Sequence, residues 1–189
     1  MHPATAALRR LGAAWADGID AAGPANAMAV RARAALAAVE MQDSEAAVLP
    51  VCRHLERAID TARARLPALA DAFAAVAPLL AWRAKPGGDA AFAAGHANAL
   101  IVGPGGPGRS DTLRLGASLV APGITYPDHQ HPPEELYLVL SPGEWWQHGR
   151  DWHPPGIGGM VHHVPDVMHA MRAAPGAPLL AIWCLWTGA

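Results

Sequence analysis

The chain has 189 residues, enough for one domain or for one domain with a helical annex, and 52% of them are hydrophobic, so a substantial core can form. A formal net charge of −2 gives no basic footprint for nucleic acid and no polybasic patch for a membrane surface. No run reaches the roughly 20 apolar residues that span a bilayer; the nearest, residues 67–82, is interrupted by Asp71.

The N-terminal stretch lacks the basic, apolar and small-residue order of a secretory signal, so a cytoplasmic location is expected. Residues 1 to about 85 are Ala-rich with interspersed charges, and they read as helices. Asn26–Met41 carries good helix formers and almost no β-branched residues. Ser44 is placed to cap a second helix through Leu49, Cys52, Leu55, Ile59 and Leu66, although Pro50 in its second turn argues for a later start. Pro67 suits the start of a third helix running to about Trp82, and residues 85–89 then break the pattern.

From there the sequence changes character. Gly103–Gly108 reads as a loop, without the Lys-Ser/Thr end of a phosphate-binding loop. Leu113–Val120, Glu135–Leu140, Gly159–Val164, His169–Ala173 and Leu179–Trp186 read as short strands between Gly and Pro turns, the pattern of a sandwich or barrel. The expected organisation is therefore a helical region over residues 1–88 and a β-barrel over residues 89–189. Cys52 and Cys184 lie one in each half and form no paired motif, which fits a reducing compartment.

The chemistry concentrates in Gly123–Tyr137. His129 and His131 are two apart, and on an extended chain such residues share a face, so two imidazoles can chelate one ion. Glu135 and Tyr137 share a face in the same way on the next strand, and Pro132 and Pro133 bend the chain between the pairs. Leu136, Leu138 and Leu140 take the opposite face and should pack outward, under the helices or the second sheet. A fourth ligand, His169, starts a later strand. Three histidines and a carboxylate suit one divalent transition metal: Zn²⁺ and Fe²⁺ foremost, with Mn²⁺, Co²⁺ and Ni²⁺ also compatible. Glu134 has the wrong parity to replace Glu135. His162 and His163 are adjacent, so they cannot both bind one ion, and His148 and His153 fall in a Trp-rich loop.

These residues resemble the cupin superfamily. Its first motif, Gly-x5-His-x-His-x3–4-Glu-x6-Gly, is matched by Gly123, His129, His131 and Glu135, with Gly143 one residue late. Its second, Gly-x5-Pro-x-Gly-x-x-His, is matched by Gly159 and Pro165, but Val167 replaces the later glycine and His169 comes one residue early. A narrower resemblance covers residues 110–189, through TYPDHQHPPEELYLVLSPGEWW, PDVMHAMR and PLLAIWCLWTG, to the cupin-type dimethylsulfoniopropionate (DMSP) lyases. Its marks are His169 lying 32 residues after Tyr137 and Tyr126 lying 11 before it, these being the chain's only two tyrosines.

The resemblance implies a mainly β cupin fold, a double-stranded β-helix or jelly-roll barrel with an N-terminal helical region. It also implies metal-dependent β-elimination of DMSP to dimethyl sulfide and acrylate, with the substrate carboxylate on the metal. Tyr137 is then the expected base, and Tyr126 a positioning residue or alternative base. The sulfonium group has no N–H or O–H, so aromatic faces should receive it. Trp146 and Trp183 are the candidates, with His163 as a pocket polar group and Arg172 left on the surface. The expected partner is a small-molecule substrate, without nucleic acid or membrane, and a homodimer is left open. The rival readings are another metal-dependent cupin enzyme, a dioxygenase or isomerase, and a non-catalytic binding cupin.

Overall fold

The computed structural model describes residues 3–24 and 26–188, and its first element is a helix that precedes the three expected ones. Helix α1 (Pro3–Ala22) buries Leu8, Leu11, Trp15 and Ile19, whose spacing of three and four lays one apolar stripe along the helix. Helix α2 (Ala27–Ala37) starts where expected. The Asn26 side chain accepts hydrogen bonds from the N–H groups of Met28 and Ala29, satisfying two of the first turn's free donors. The helix ends earlier than expected, because Glu40–Met41 (β1) leaves it to pair with Gly108–Arg109 (β3).

Ser44 caps no helix. The chain stays irregular until Pro50 opens a 3₁₀ turn (Pro50–His54), which leads into α3 (Leu55–Arg63). Proline has no N–H to contribute and fits a first turn better than a second. Helix α4 (Pro67–Val76) starts at its proline but stops short of Trp82, since residues 77–79 tighten into a 3₁₀ turn around Pro78. A short helix, α5 (Ala90–Gly95), is capped by Asp89, which accepts from the N–H of Phe92. No helix is long and apolar enough to cross a membrane among the described residues.

The strands form a seven-stranded and a three-stranded sheet. The first contains β2 (His96–Val102), β4 (Leu113–Val120), β6 (Glu134–Val139), β8 (Met160–His163) and β10 (Leu179–Trp186), in the order β1-β3-β2-β4-β10-β6-β8. The second contains β5 (Thr125–His129), β7 (Gly143–Gln147) and β9 (His169–Ala173), in the order β5-β9-β7. Strand β4 lies between β2 and β10, and β10 between β4 and β6, so neighbours in the sheet are distant in sequence. The fold is mainly β, a cupin barrel with N-terminal helices.

Period-two alternation divides the large sheet into two faces. Leu136, Leu138, Leu140 and Ile182 face the helices and share one hydrophobic cluster with Trp15, Ile19, Met28 and Phe73. Gly18 makes this contact close: a Cβ there would lie 2.5 Å from Leu138 Cδ2. The opposite face looks into the barrel, where Tyr126, Tyr137, Val139, Trp145 and Met171 form a second buried cluster between the sheets. The site is built where this inner cluster meets the barrel mouth.

Candidate metal centre

His129 ends β5 and His169 begins β9, and the two are directly paired across the small sheet. Their rings lie 4.2 Å apart between centroids. His131 follows in the bend after β5, and Glu135 enters from β6 in the large sheet. The Nε2 atoms of His131 and His169 lie 3.2 and 3.3 Å from Oε2 of Glu135. Potential ligand atoms of His129, His131 and His169 are all within 4.8 Å of one another, as are those of Glu135, His163 and His169.

The orientation of the three imidazoles has a common cause. Nδ1 of His129 is 3.0 Å from the carbonyl of Pro127, Nδ1 of His131 is 2.9 Å from that of Pro133, and Nδ1 of His169 is 2.9 Å from that of Val167. A carbonyl only accepts, so each Nδ1 carries the proton and donates it. Each Nε2 then keeps its lone pair and faces the shared space, as metal-ligating histidines require. Buried Nε2 of His169 has no hydrogen-bond partner. The donor set and its orientation fit a divalent transition metal.

The turn before His169 explains the departure from the general cupin motif. Asp166 has φ of 58°, the left-handed conformation that Asp tolerates better than most residues. It stands three residues before His169, the spacing at which the motif has glycine. Its N–H donates to the carbonyl of His131 at 3.0 Å, joining the turn to the bend that carries the other ligands.

Glu135 is buried. Desolvation by itself would raise its pKa, but the surrounding imidazoles of His131, His163 and His169 prevail and hold the carboxyl well below its usual range. Burial lowers the pKa of His129 to about 3, and repulsion from His169 and Lys85 adds to this. For His131 the burial penalty is outweighed by the nearby Glu135 carboxylate, which favours the protonated ring when no metal is bound, and its pKa rises. Glu134 points to the other face, where it meets Arg31 at 3.1 Å and His162 at 2.8 Å. His148 and His153 lie outside both ligand groups.

His163 is more deeply set than expected of a pocket polar group. It is buried, its ring centroid is 3.9 Å from that of His169, and its Nδ1 is 3.4 Å from Glu135 Oε2. Its Nε2 has no hydrogen-bond partner.

Both tyrosines are buried beside the ligands. Burial first, and then the charge of Glu135 and a hydrogen bond to it, hold the Tyr137 phenol well above its ordinary value. The Tyr126 ring lies 4.9 Å from that of His129. Burial pushes its pKa up to about 12, against the opposing hydrogen bond from Asn98.

That hydrogen bond ends a relay that no sequence motif marks. The indole N–H of Trp183 can only donate, and it donates to Ser118 Oγ at 3.0 Å. Ser118 donates to Asn98 Oδ1 at 2.7 Å, and the Asn98 amide donates to Tyr126 Oη at 3.0 Å. The direction is therefore fixed from end to end, and the Tyr126 hydroxyl proton is left to point elsewhere. Asn98 is on β2 and Ser118 on β4, paired in register; no local motif marks either residue.

The tryptophan expectations divide. Trp183 faces inward, opposite Tyr137 in register, and lines the pocket with both tyrosines. Trp146 does not face inward. Strand β7 turns Trp145 into the barrel, fully buried with its ring 6.0 Å from that of Tyr137, and alternation sends Trp146 to the outer face. Arg172 is on the surface as expected, 2.6 Å from Glu144 and over the ring of Trp152.

The pocket has a volume of about 120 Å³ and is also lined by Lys85 and Leu185. Burial lowers the Lys85 pKa, and Glu135 opposes that shift.

The sequence matches the dimethylsulfoniopropionate lyase family over residues 24–181. It is 33% identical over 147 residues to dimethylsulfoniopropionate lyase DddQ of Ruegeria pomeroyi, covering 74% of this chain and 71% of that one. It is also 33% identical over 151 residues to a protein named as a putative dimethylsulfoniopropionate lyase, DddL, of Cereibacter sphaeroides, covering 78% of this chain but only 63% of the relative's length. Among solved structures, DddQ from Ruegeria pomeroyi superposes with a TM-score of 0.75 at 27% identity, over 98% of this chain and 92% of that one. A chain from the crystal structures of the DMSP lyases RdDddP and RnDddQII also gives 0.75, at 26% identity over 97% and 93%. The chain belongs to the dimethylsulfoniopropionate lyase family.

Proposed function

We propose that this protein catalyses the β-elimination of DMSP to dimethyl sulfide and acrylate, with His129, His131, Glu135 and His169 holding one divalent transition metal. The observation that carries the reading is the convergence, in a member of this family, of three imidazoles whose Nε2 atoms face one another with a buried carboxylate and Tyr137 beside them. The donor set favours zinc or iron, with manganese, cobalt and nickel also compatible. When bound, the ion supplies Lewis acidity to the substrate carboxylate and a positive charge that favours the phenolate of a neighbouring tyrosine.

The residues of the chain then divide the remaining work. The Tyr137 phenolate oxygen takes the proton from the carbon next to the carboxylate. The electron pair of that C–H bond becomes the new carbon–carbon double bond. The C–S bond breaks with its electrons going to sulfur, so the sulfonium leaves as neutral dimethyl sulfide and acrylate remains. Tyr137 returns its proton to solvent before the next cycle. Tyr126, with its oxygen held by Asn98, positions the substrate or serves as the alternative base. The faces of Trp183 and the tyrosines receive the sulfonium, an attraction of about 0.5–2 kcal/mol per ring.

Metal-loaded protein given DMSP should release dimethyl sulfide into the headspace together with one equivalent of acrylate, without consuming oxygen. Intact DMSP after incubation with protein of confirmed metal content would refute the assignment.

A further inference from the structure

The rim of the pocket carries a cation that the ligand set does not use. Lys85 is the chain's one lysine against 13 arginines. Its main chain is pinned: the N–H donates at 2.7 Å to Nε2 of His96, which is buried and stacked on Phe92 at 3.6 Å. From this anchor the side chain crosses the face of Tyr126, with Nζ 5.2 Å from the ring centroid, and lines the same pocket as the metal ligands. Among the described residues, no carboxylate lies within ion-pair distance of Nζ, whereas Arg31, Arg33, Arg63, Arg109 and Arg172 all have acidic partners.

The surroundings reinforce the charge. A second cavity of about 320 Å³ adjoins the pocket and shares Lys85, Asn98, Trp183 and Leu185 with it. Arg83 and Arg114 line that cavity, and no Asp or Glu does. The side of the pocket that adjoins this cavity is therefore cationic, while Glu135 is buried among imidazoles.

We propose that Lys85 is a substrate-positioning residue that binds the carboxylate of a zwitterionic substrate and brings it into the site carboxylate first. The inference rests on the reading that the substrate is a sulfonium carboxylate. A zwitterion on a three-carbon chain has two ends of opposite charge and almost no shape by which to tell them apart. An ammonium at the mouth attracts one end and repels the other. It offers three donors, and a carboxylate has two oxygens, so Lys85 can hold one without displacing the other from the metal-ligand cluster. The repelled sulfonium is left to the aromatic faces.

The test uses propionate, which has the carboxylate and lacks the sulfonium. Calorimetry on metal-loaded protein should give a Kd for propionate that rises about tenfold or more in Lys85→Met, the usual loss for a charged hydrogen bond, at unchanged metal content. Lys85→Arg should recover most of the affinity. Independently, Lys85 should be open to reductive methylation and protected by propionate but not by tetramethylammonium, as read by peptide mass spectrometry. Equal propionate affinity in Lys85→Met, or no protection, would overturn the proposal. Neither measurement depends on turnover. If the wild type binds propionate through Lys85 but releases no dimethyl sulfide, the reaction assignment fails and the carboxylate site stands. If dimethyl sulfide is released with the same KM in Lys85→Met, the reaction stands and the role of Lys85 fails.

Discussion

Replacing Gly116 by alanine tests how tightly the inner face of the barrel is fitted around the site. Gly116 lies opposite Trp183 in the β4–β10 register, and the indole rests directly on it. A Cβ at this position would be 2.2 Å from Trp183 Cζ2 and 2.4 Å from Cη2. The ring must retreat by about 1.2 Å to reach ordinary contact at 3.4 Å. A retreat of that size is expected to lengthen the bond from Nε1 to Ser118 Oγ, now 3.0 Å, beyond hydrogen-bond range. Overpacking of this kind costs about 1–3 kcal/mol and the lost hydrogen bond about 1 more, so a total of about 2–4 kcal/mol is expected. For a chain of this length that lowers Tm by about 5–15 °C. Because Ser118 also orders Asn98 and through it Tyr126, dimethyl sulfide release should fall by about tenfold or more. Circular dichroism melts and initial rates read the two effects. A Tm within about 1 °C of wild type, with an unchanged rate, would refute the claim that the glycine is there for the indole.

Three further outcomes are expected. Tyr137→Phe should keep its metal, by elemental analysis, while elimination falls by about 10²–10⁴-fold; near-normal turnover with metal bound would remove Tyr137 as the base. His131→Ala should lose both metal and activity, and full metal occupancy in the purified variant would remove His131 from the ligand set. In metal-free protein, burial holds the His129 pKa at about 3 against an ordinary 6.5. The unfolded chain then binds a proton that the folded one refuses, so this contribution to stability is complete above pH 6.5 and is lost as pH falls toward 3. Urea unfolding of metal-free wild type and His129→Asn across pH 4–7 checks this, and parallel pH dependences would contradict it.

The parts of the site legible in the sequence are those built from local alternation. His129, His131, Glu135 and Tyr137 belong to one short run, and a period of two was enough to put each pair on a face. The outward packing of Leu136, Leu138 and Leu140 followed from the same parity. Helix α1 carries a readable stripe in Leu8, Leu11, Trp15 and Ile19, but has no acidic residue in its first turn and no basic residue in its last to mark its ends. Strand β2 was a different case, since His96–Val102 opens with His-Ala-Asn-Ala, which has weak β propensity, and only its last three residues, Leu100, Ile101 and Val102, read as strand. Its place comes from pairing with β4, a tertiary decision. Asn98 and Ser118 reach the site through that pairing, and Lys85 through its N–H contact with His96 of β2, so no spacing could announce them. Trp145 and Trp146 illustrate a narrower limit: sequence gave their opposite parity, but only the pairing of β7 with β9 decides which enters the barrel.

The tautomers of the three candidate ligand histidines are set by main-chain carbonyls two residues away, two of them on prolines. A metal site oriented by acidic side chains can be disabled by any mutation that removes them. Here the orienting groups are peptide oxygens, which every residue type provides. Substitution at Pro127, Pro133 or Val167 therefore leaves the acceptor in place so long as the local path of the chain survives. Selection can then vary the lining of the pocket and what it admits, while the geometry of the donor atoms is inherited intact.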